Sequence, residues 1–232
     1  MRICVIIPVH NESRAIGPLV ARVREKGLDV VVVDDGSTDS SATIAGNQGA
    51  EVITNQHKQG KGLSLKKGFE YALQHDYDGV ITMDGDGQHD PLDIDLFLQK
   101  IHQQPRAVIT GSRMENSTGM PPIRYMTNIG MSRLISLLCR QAIPDTQCGF
   151  RYISSVILRD VDLVSNDFEI ETEVLIKASR YGYPVLSLPI KTIYRNEQSK
   201  ISPLKDTFRF IVYIVKELFS SAKRPPEPHS RV

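Results

Sequence analysis

Four short apolar runs in this chain each stop abruptly at a cluster of polar residues, and segments of helical pattern lie between them. Residues 3–8 lead into His10-Asn11-Glu12, and residues 30–33 lead into Asp34-Asp35-Gly36-Ser37. Residues 79–83 lead into Asp84-Gly85-Asp86-Gly87-Gln88-His89-Asp90, and residues 107–110 into Gly111-Ser112-Arg113. Short apolar runs bounded by turn residues read as buried strands. The intervening segments 12–26, 39–47, 63–75 and 91–102 read as helices, with Asn11 placed to cap the first and Pro91 in the first turn of the last. A short strand is expected at 51–54. This rhythm predicts an α/β fold with a mainly parallel central sheet and helices on both faces. Ligands of such sheets bind at the carboxyl ends of the strands, where all four polar clusters fall.

The second half is less regular. Residues 115–122 form a polar loop, 124–140 and 168–181 read as helices, and 147–153 and 185–190 read as strands. Residues 193–203 are polar and suit a mobile loop. Leu204, Phe208, Ile211, Val212, Val215, Leu218 and Phe219 make a helical apolar stripe, expected to pack on the core; its interleaved Lys205, Arg209 and Lys216 also fit a helix lying on a membrane. Residues 222–232, rich in proline and charge, are expected to be a disordered tail. No repeat or linker interrupts 1–221, so one domain is expected, and 232 residues suffice for one core.

The formal net charge of +1 argues against a dedicated nucleic-acid binder. Cys4, Cys139 and Cys148 are an odd set without metal-ligand spacing, which fits a reduced, cytoplasmic compartment. His10-Asn11-Glu12 stands where a signal peptide would need small cleavage-site residues, so no signal peptide is expected. No apolar run approaches the roughly 20 residues that span a bilayer.

Asp84 and Asp86 carry the sharpest chemistry. Spaced i, i+2 at the end of a strand, they project to one side of the backbone. Two hard oxygen donors there suit Mg2+ or Mn2+ holding a phosphate, and Gly85 and Gly87 are expected to leave room for a bulky ligand. A calcium loop fits poorly: its sixth and twelfth positions, glycine and glutamate by rule, are His89 and Asp95. Asp34 and Asp35 exceed what a helix cap needs, and one can accept from a base N–H or a ribose hydroxyl. Gln59-Gly60-Lys61-Gly62 lacks the full phosphate-loop spacing, but suits a mobile cationic turn beside a nucleotide. Arg113 stands out among the arginines by its place just beyond a strand's end. Asp167, Glu169 and Glu171 suit a helix start, where acids are favoured, or a general base.

Together these motifs resemble family 2 glycosyltransferases of the GT-A fold. The match runs through Val5 to Glu12, Val31 to Asp39, Gly60-Lys61-Gly62, Met83 to His89, Gly111-Ser112-Arg113 and Asp145-Thr146-Gln147-Cys148-Gly149-Phe150-Arg151, over roughly residues 1–220. It is strongest toward the polyprenyl-phosphate branch typified by dolichyl-phosphate mannosyltransferase. The resemblance implies that Pro8, Asn11 and Glu12 line the nucleotide pocket and that Asp35, with Asp34, contacts base or ribose. It implies that Asp84, Asp86 and Gln88 hold Mg2+ or Mn2+ on the diphosphate, near Lys61. Arg113 and Arg124 then face the acceptor phosphate or the donor, and Arg195, Ser199 and Lys200 belong to a loop closing over the donor.

That loop departs from the family's R-x-x-G-x-S-K: it is one residue shorter and lacks the glycine. The Q-x-x-R-W of processive synthases is excluded, because the chain has no tryptophan. The implied reaction is inverting transfer from a nucleotide-diphosphate sugar, with Asp86 and Arg113 catalytic. A polyprenyl-phosphate acceptor at the inner face of a membrane needs cations, while a sugar or protein hydroxyl needs a base from Glu169, Glu171 or Asp145. A sugar-phosphate nucleotidyltransferase would want a glycine-rich loop after the first strand, and Pro8-Val9-His10-Asn11-Glu12 does not supply it. A non-catalytic sugar-nucleotide-binding protein would not need the intact Asp84 and Asp86 pair. Oligomeric state is not readable from these features.

Overall fold

Burial alternates along the strands and sorts the helices onto two faces. In the computed structural model the described residues are 1–115, 119–191, 193 and 213–214. Seven strands, β1 (Ile3–Val9), β2 (Asp29–Asp34), β3 (Glu51–Thr54), β4 (Gly79–Thr82), β5 (Val108–Ser112), β6 (Arg151–Ser154) and β7 (Val185–Pro189), form one sheet in the order β3-β2-β1-β4-β6-β5-β7. Successive side chains of a strand point to opposite faces. Ile3, Val5, Ile7 and Val9 accordingly pack with α1 (Ile16–Glu25), α2 (Ser41–Asn47) and α4 (Ile94–Gln103). Cys4 and Ile6 pack with α3 (Lys61–Gln74), α5 (Pro122–Cys139), α6 (Ser155–Asp160) and α7 (Glu169–Arg180) on the other face. The expected mainly parallel sheet with helices on both faces is the observed one.

The chain runs outward from β1 to β2 and β3, then returns to lay β4 on the other side of β1. That reversal makes the carboxyl ends of β1 and β4 the topological switch point, the place where sheets of this kind take ligands. Pairing of β1 with β4 ends at Ile6 and Thr82, so Pro8, which has no N–H, lies beyond the stretch flanked on both sides.

Several local expectations need correction. Asn11 does not cap α1, which begins at Ile16. Asn11 instead adopts a left-handed φ of 57° and its Oδ1 accepts from Thr38 N–H at 2.8 Å, tying the β1 loop to the β2 loop. The helix expected from 63 begins at Lys61, so Lys61 sits on a helix and not in a mobile turn. Residues 91–93 form a 3-10 turn ahead of α4. The strand expected at 147–153 is shortened to β6 and runs antiparallel to both β4 and β5, and α6 follows it unforeseen. Gly85 does not make room for a ligand: an added Cβ would lie 2.7 Å from Val9 Cγ1 and 3.1 Å from the Pro8 carbonyl oxygen. Its bareness lets the Asp84 loop rest on the end of β1. The polar loop at 193–203, the helix at 204–221 and the tail at 222–232 lie outside the described residues, apart from Ile193, Tyr213 and the buried Ile214.

Gly79 shows how tightly the β4–β6 pair is packed. A Cβ there would stand 2.5 Å from Cε2 of Tyr152, whose ring is fully buried and whose hydroxyl donates to the Pro105 carbonyl at 2.8 Å. Overpacking of this kind costs about 1–3 kcal/mol. Gly79→Ala should therefore lower the urea midpoint at an unchanged m-value; an unmoved midpoint would show that Tyr152 can yield.

Candidate active site

The crevice is built by wiring loops to one another at the ends of β1, β2 and β4. Asp35, 4% exposed, is the hub of the β2 side. Its Oδ1 accepts from Asn55 Nδ2 at 2.9 Å and from Gln59 N–H at 2.8 Å, and its Oδ2 accepts from Gly60 N–H at 2.9 Å. Burial alone would raise this carboxyl, but the donors from Gln59, Asn55 and Gly60 outweigh it and hold the group below the usual carboxylate value. Asp34 accepts from Ser37 N–H at 3.3 Å through both oxygens. His10 contacts the Asp35 carbonyl through Nδ1 at 3.0 Å, and Glu12 N–H donates to Ser41 Oγ at 2.8 Å. Asn11, Glu12, Asp34 and Asp35 thus form one joined rim, with Pro8 half-buried beneath it.

Asp35 holds Gly60, and Gly60 delivers Lys61. Lys61 Nζ lies 2.5 Å from Asp84 Oδ1 and 2.9 Å from Glu171 Oε1. Burial opposes its charge, but the two carboxylates outweigh burial and push its pKa up. Asp84 is held down in the same way: burial would raise it, and the Lys61 ammonium foremost more than offsets that. The Asp84 carboxylate lies against Gly149, where any Cβ would come within 2.7 Å of it. Asp84 N–H donates to His89 Nδ1 at 3.2 Å. A backbone N–H only donates, so Nδ1 is unprotonated and the His89 proton sits on Nε2, 3.8 Å from Asp84 Oδ2. Burial lowers the pKa of that imidazole, in keeping with this geometry.

Asp86 accepts from Gln88 N–H at 2.9 Å, and its pKa is raised by burial and by the neighbouring Asp84. The Gln88 carbonyl accepts from Ile193 N–H at 2.9 Å. Among the described residues no group of three or more His, Cys, Asp and Glu side chains is arranged to hold a metal ion. Magnesium-type ions commonly use one or two carboxylates and complete their shell with phosphate and water. Asp84 and Asp86, two hard donors whose mutual repulsion raises one of them, fit a cation that arrives with a diphosphate.

The third wall comes from β5, α5 and the loop before β6. Arg113, 5% exposed, makes a two-pronged pair with Asp145: Nε to Oδ2 at 2.7 Å and Nη2 to Oδ1 at 2.9 Å. Burial of Asp145 would raise its carboxyl, but Arg113 outweighs it and lowers it. Arg124 is half-buried in the first turn of α5. Glu169 and Glu171 open α7, where acids favour the helix start. Arg195, Ser199 and Lys200 lie outside the described residues.

Sequence reasoning missed three supports. His89 orients Asp84. Arg151, fully buried, donates to the carbonyls of Cys148 at 2.6 Å, Thr146 at 2.8 Å and Glu171, and so ties the 145–151 loop to α7. Asn128 Nδ2 is buried without a hydrogen-bond partner among the described residues. For Asn128 a signal existed: with Ser132 it places polar residues four apart on one side of a largely apolar helix.

Asp35→Asn sets an NH2 against the N–H of Gly60 and should cost about 1–3 kcal/mol at pH 7. Because the folded carboxyl is depressed, its contribution is complete above the unfolded value of about 3.9 and is lost as pH falls through the lowered one. The difference in Tm between wild type and variant should hold at pH 7 and shrink on acidification below about pH 4. A difference that persists undiminished would contradict the clasp.

Comparison with known proteins agrees with this geometry. The family described as "Glycosyl transferase family 2" matches residues 4–162. The UDP-N-acetylglucosamine–dolichyl-phosphate N-acetylglucosaminyltransferase of Methanococcus voltae is 31% identical over 219 residues, covering 83% of this chain and 86% of that one. The undecaprenyl-phosphate mannosyltransferase of Micrococcus luteus is 27% identical over 217 residues, covering 87% of this chain and 88% of that one. Among solved structures, glucosyl-3-phosphoglycerate synthase from Mycobacterium tuberculosis, in complex with Mn2+, UDP and phosphoglyceric acid, superposes with a TM-score of 0.70. It is 20% identical and covers 99% of this chain and 80% of that one, a likeness of fold. The family match over residues 4–162, the relative at 31% identity and the likeness of fold give the conclusion: this chain has the GT-A fold and belongs to glycosyl transferase family 2.

Proposed function

We propose that this glycosyltransferase moves a sugar from a nucleotide-diphosphate sugar to a polyprenyl phosphate, with inversion at the anomeric carbon. The observation that carries the acceptor class is the state of the candidate bases. Asp145 is fully buried and locked to Arg113, and Glu171 is paired with Lys61. A hydroxyl acceptor needs a free base, whereas an acceptor phosphate is already anionic and needs only positioning and positive charge. Glu169, half-buried at the start of α7, is the base a hydroxyl acceptor would be left with. The names of the Methanococcus voltae and Micrococcus luteus relatives point to the same acceptor class.

In this reading Pro8, Asn11, Glu12, Asp34 and Asp35 form the nucleotide side of the crevice, and Lys61 stands beside the diphosphate. Asp84, Asp86 and Gln88 would hold Mg2+ or Mn2+, which when bound relieves charge on the departing nucleoside diphosphate. Arg113 and Arg124 face the acceptor phosphate. Arg195 and Lys200, as parts of a loop closing over the donor, complete the proposal.

The outward face of α5 supports a site at the edge of a membrane. Ile123, Met126, Leu134 and Leu137 are exposed, and Arg133 and Arg140 flank them, while the inward face carries Asn128 and Ser132. An exposed apolar stripe with basic flanks on the helix that carries Arg124 suits the surface of a bilayer holding a lipid phosphate. No helix among the described residues is long and apolar enough to cross a membrane.

With a labelled sugar-nucleotide panel and vesicle-borne polyprenyl phosphate, nucleoside diphosphate and a lipid-linked sugar should be the products. Transfer to soluble sugars in preference to the lipid would reverse the acceptor assignment. EDTA should stop turnover, and Mg2+ or Mn2+ should restore it. Asp86→Asn should reduce kcat/KM by on the order of 100-fold or more, several kcal/mol of lost stabilisation, with the thermal transition preserved. Full activity in either the chelator or the variant would remove the metal from the mechanism.

A further inference from the structure

Lys61 occupies the flank of Asp84 on which a divalent ion would draw. Its ammonium contacts Asp84 Oδ1 and Glu171 Oε1 at 2.5 and 2.9 Å, and its side chain is 17% exposed. The backbone beneath it has little freedom. Gly60 N–H is bound by Asp35. A Cβ on Gly60 would lie 2.6 Å from Asp167 Oδ1, and one on Gly62 would lie 2.5 Å from the backbone of Asn166 and Asp167. The lysine stem is different: four rotatable carbons carry a compact charge that can shift while the Cα stays in place.

We propose that Lys61 is a tethered competitor for the divalent ion: without donor its ammonium holds Asp84, and an arriving nucleoside diphosphate draws the ammonium onto its phosphate oxygens and releases Asp84 to the metal. This inference rests on reading Asp84 and Asp86 as the metal-holding pair. Glu171 gives the ammonium a second anchor, so leaving Asp84 does not strand a buried charge. No bond is made or broken; one carboxylate oxygen exchanges a monovalent for a divalent partner. The consequence is thermodynamic. Metal alone must displace an ion pair, whereas metal with diphosphate need not, so the two ligands bind with positive coupling, equal in both directions. The device discourages capture of free metal before donor arrives and keeps Asp84 in position meanwhile.

Direct Mn2+ binding to the full chain, read from the loss of the free-ion electron paramagnetic resonance signal with and without UDP or GDP, tests this without any assay of turnover. Wild type should bind Mn2+ weakly alone and at least about fivefold more tightly with a nucleoside diphosphate. Lys61→Met should bind Mn2+ alone at least about fivefold more tightly than wild type and lose most of the nucleotide enhancement. Lys61→Arg, which keeps the charge, should stay weak. Lys61→Gln gives the same reading should the Met variant fail to show a cooperative thermal transition. A smaller gain on removing the charge, with nucleotide-dependent Mn2+ binding intact in wild type, would overturn the competitor role and leave the metal assignment standing. Absence of Mn2+ binding to wild type under both conditions would overturn the metal assignment and the competitor role together.

Discussion

An ammonium group shared by two carboxylates from distant parts of the chain holds this site together. Lys61 opens α3, Asp84 ends the approach from β4, and Glu171 lies in the first turn of α7. Without that charge the carboxylates of Asp84 and Glu171, both drawn to the Lys61 ammonium, would lose the cation they share. The raised pKa of Asp86 comes first from its burial and then from the neighbouring Asp84. The shared ammonium is therefore a structural joint between α3, the Asp84 loop and α7.

The joint is positioned by hydrogen bonds that fix the backbone on either side of it. Asp35 spends three acceptor contacts on Asn55, Gln59 and Gly60, and so fixes the residue before Lys61. Arg151 spends its guanidinium on three carbonyls, one of them that of Glu171. Gly149 yields the space into which Asp84 leans. These contacts are buried and charge-assisted, the kind that loses most when a single partner is removed. The chain thus places charge at the mouth of the crevice by fixing backbone on either side of it.

The antiparallel β6 explains how residues from both halves reach one place. Inserted between β4 and β5, it brings the 145–151 loop to the same edge as the Asp84 loop, because an antiparallel strand enters where its neighbours exit. Asp145 then meets Arg113, and Gly149 meets Asp84. The same arrangement turns α5 so that Asn128 and Ser132 face inward while Ile123, Met126 and Leu137 face out.

Periodicity and punctuation made the first half of this fold legible. β3 falls at 51–54 as read, β1, β2, β4 and β5 fall within two residues of their expected ends, and the Asp84 and Asp86 cluster lies at a strand's carboxyl end as its glycines and apolar run announce. Those features are local: a strand and its turn are set by neighbours in sequence. What sequence alone left open was which groups meet. Asn11 reads as a cap because its type suits one, and only the approach of the β2 loop makes it a clasp. Gly85 reads as space for a ligand, and only the nearness of β1 shows the space to be filled by the protein. The pairing of Lys61 with Asp84 and Glu171 spans more than a hundred residues of chain, and no local pattern encodes it. The sequence by itself determined the layered α/β plan and the residue types at its carboxyl edge, because periodicity and turn chemistry act over a few residues. Tertiary structure decided which of those charges neutralise one another and which stay available, because Coulomb energy and desolvation depend on distance in space.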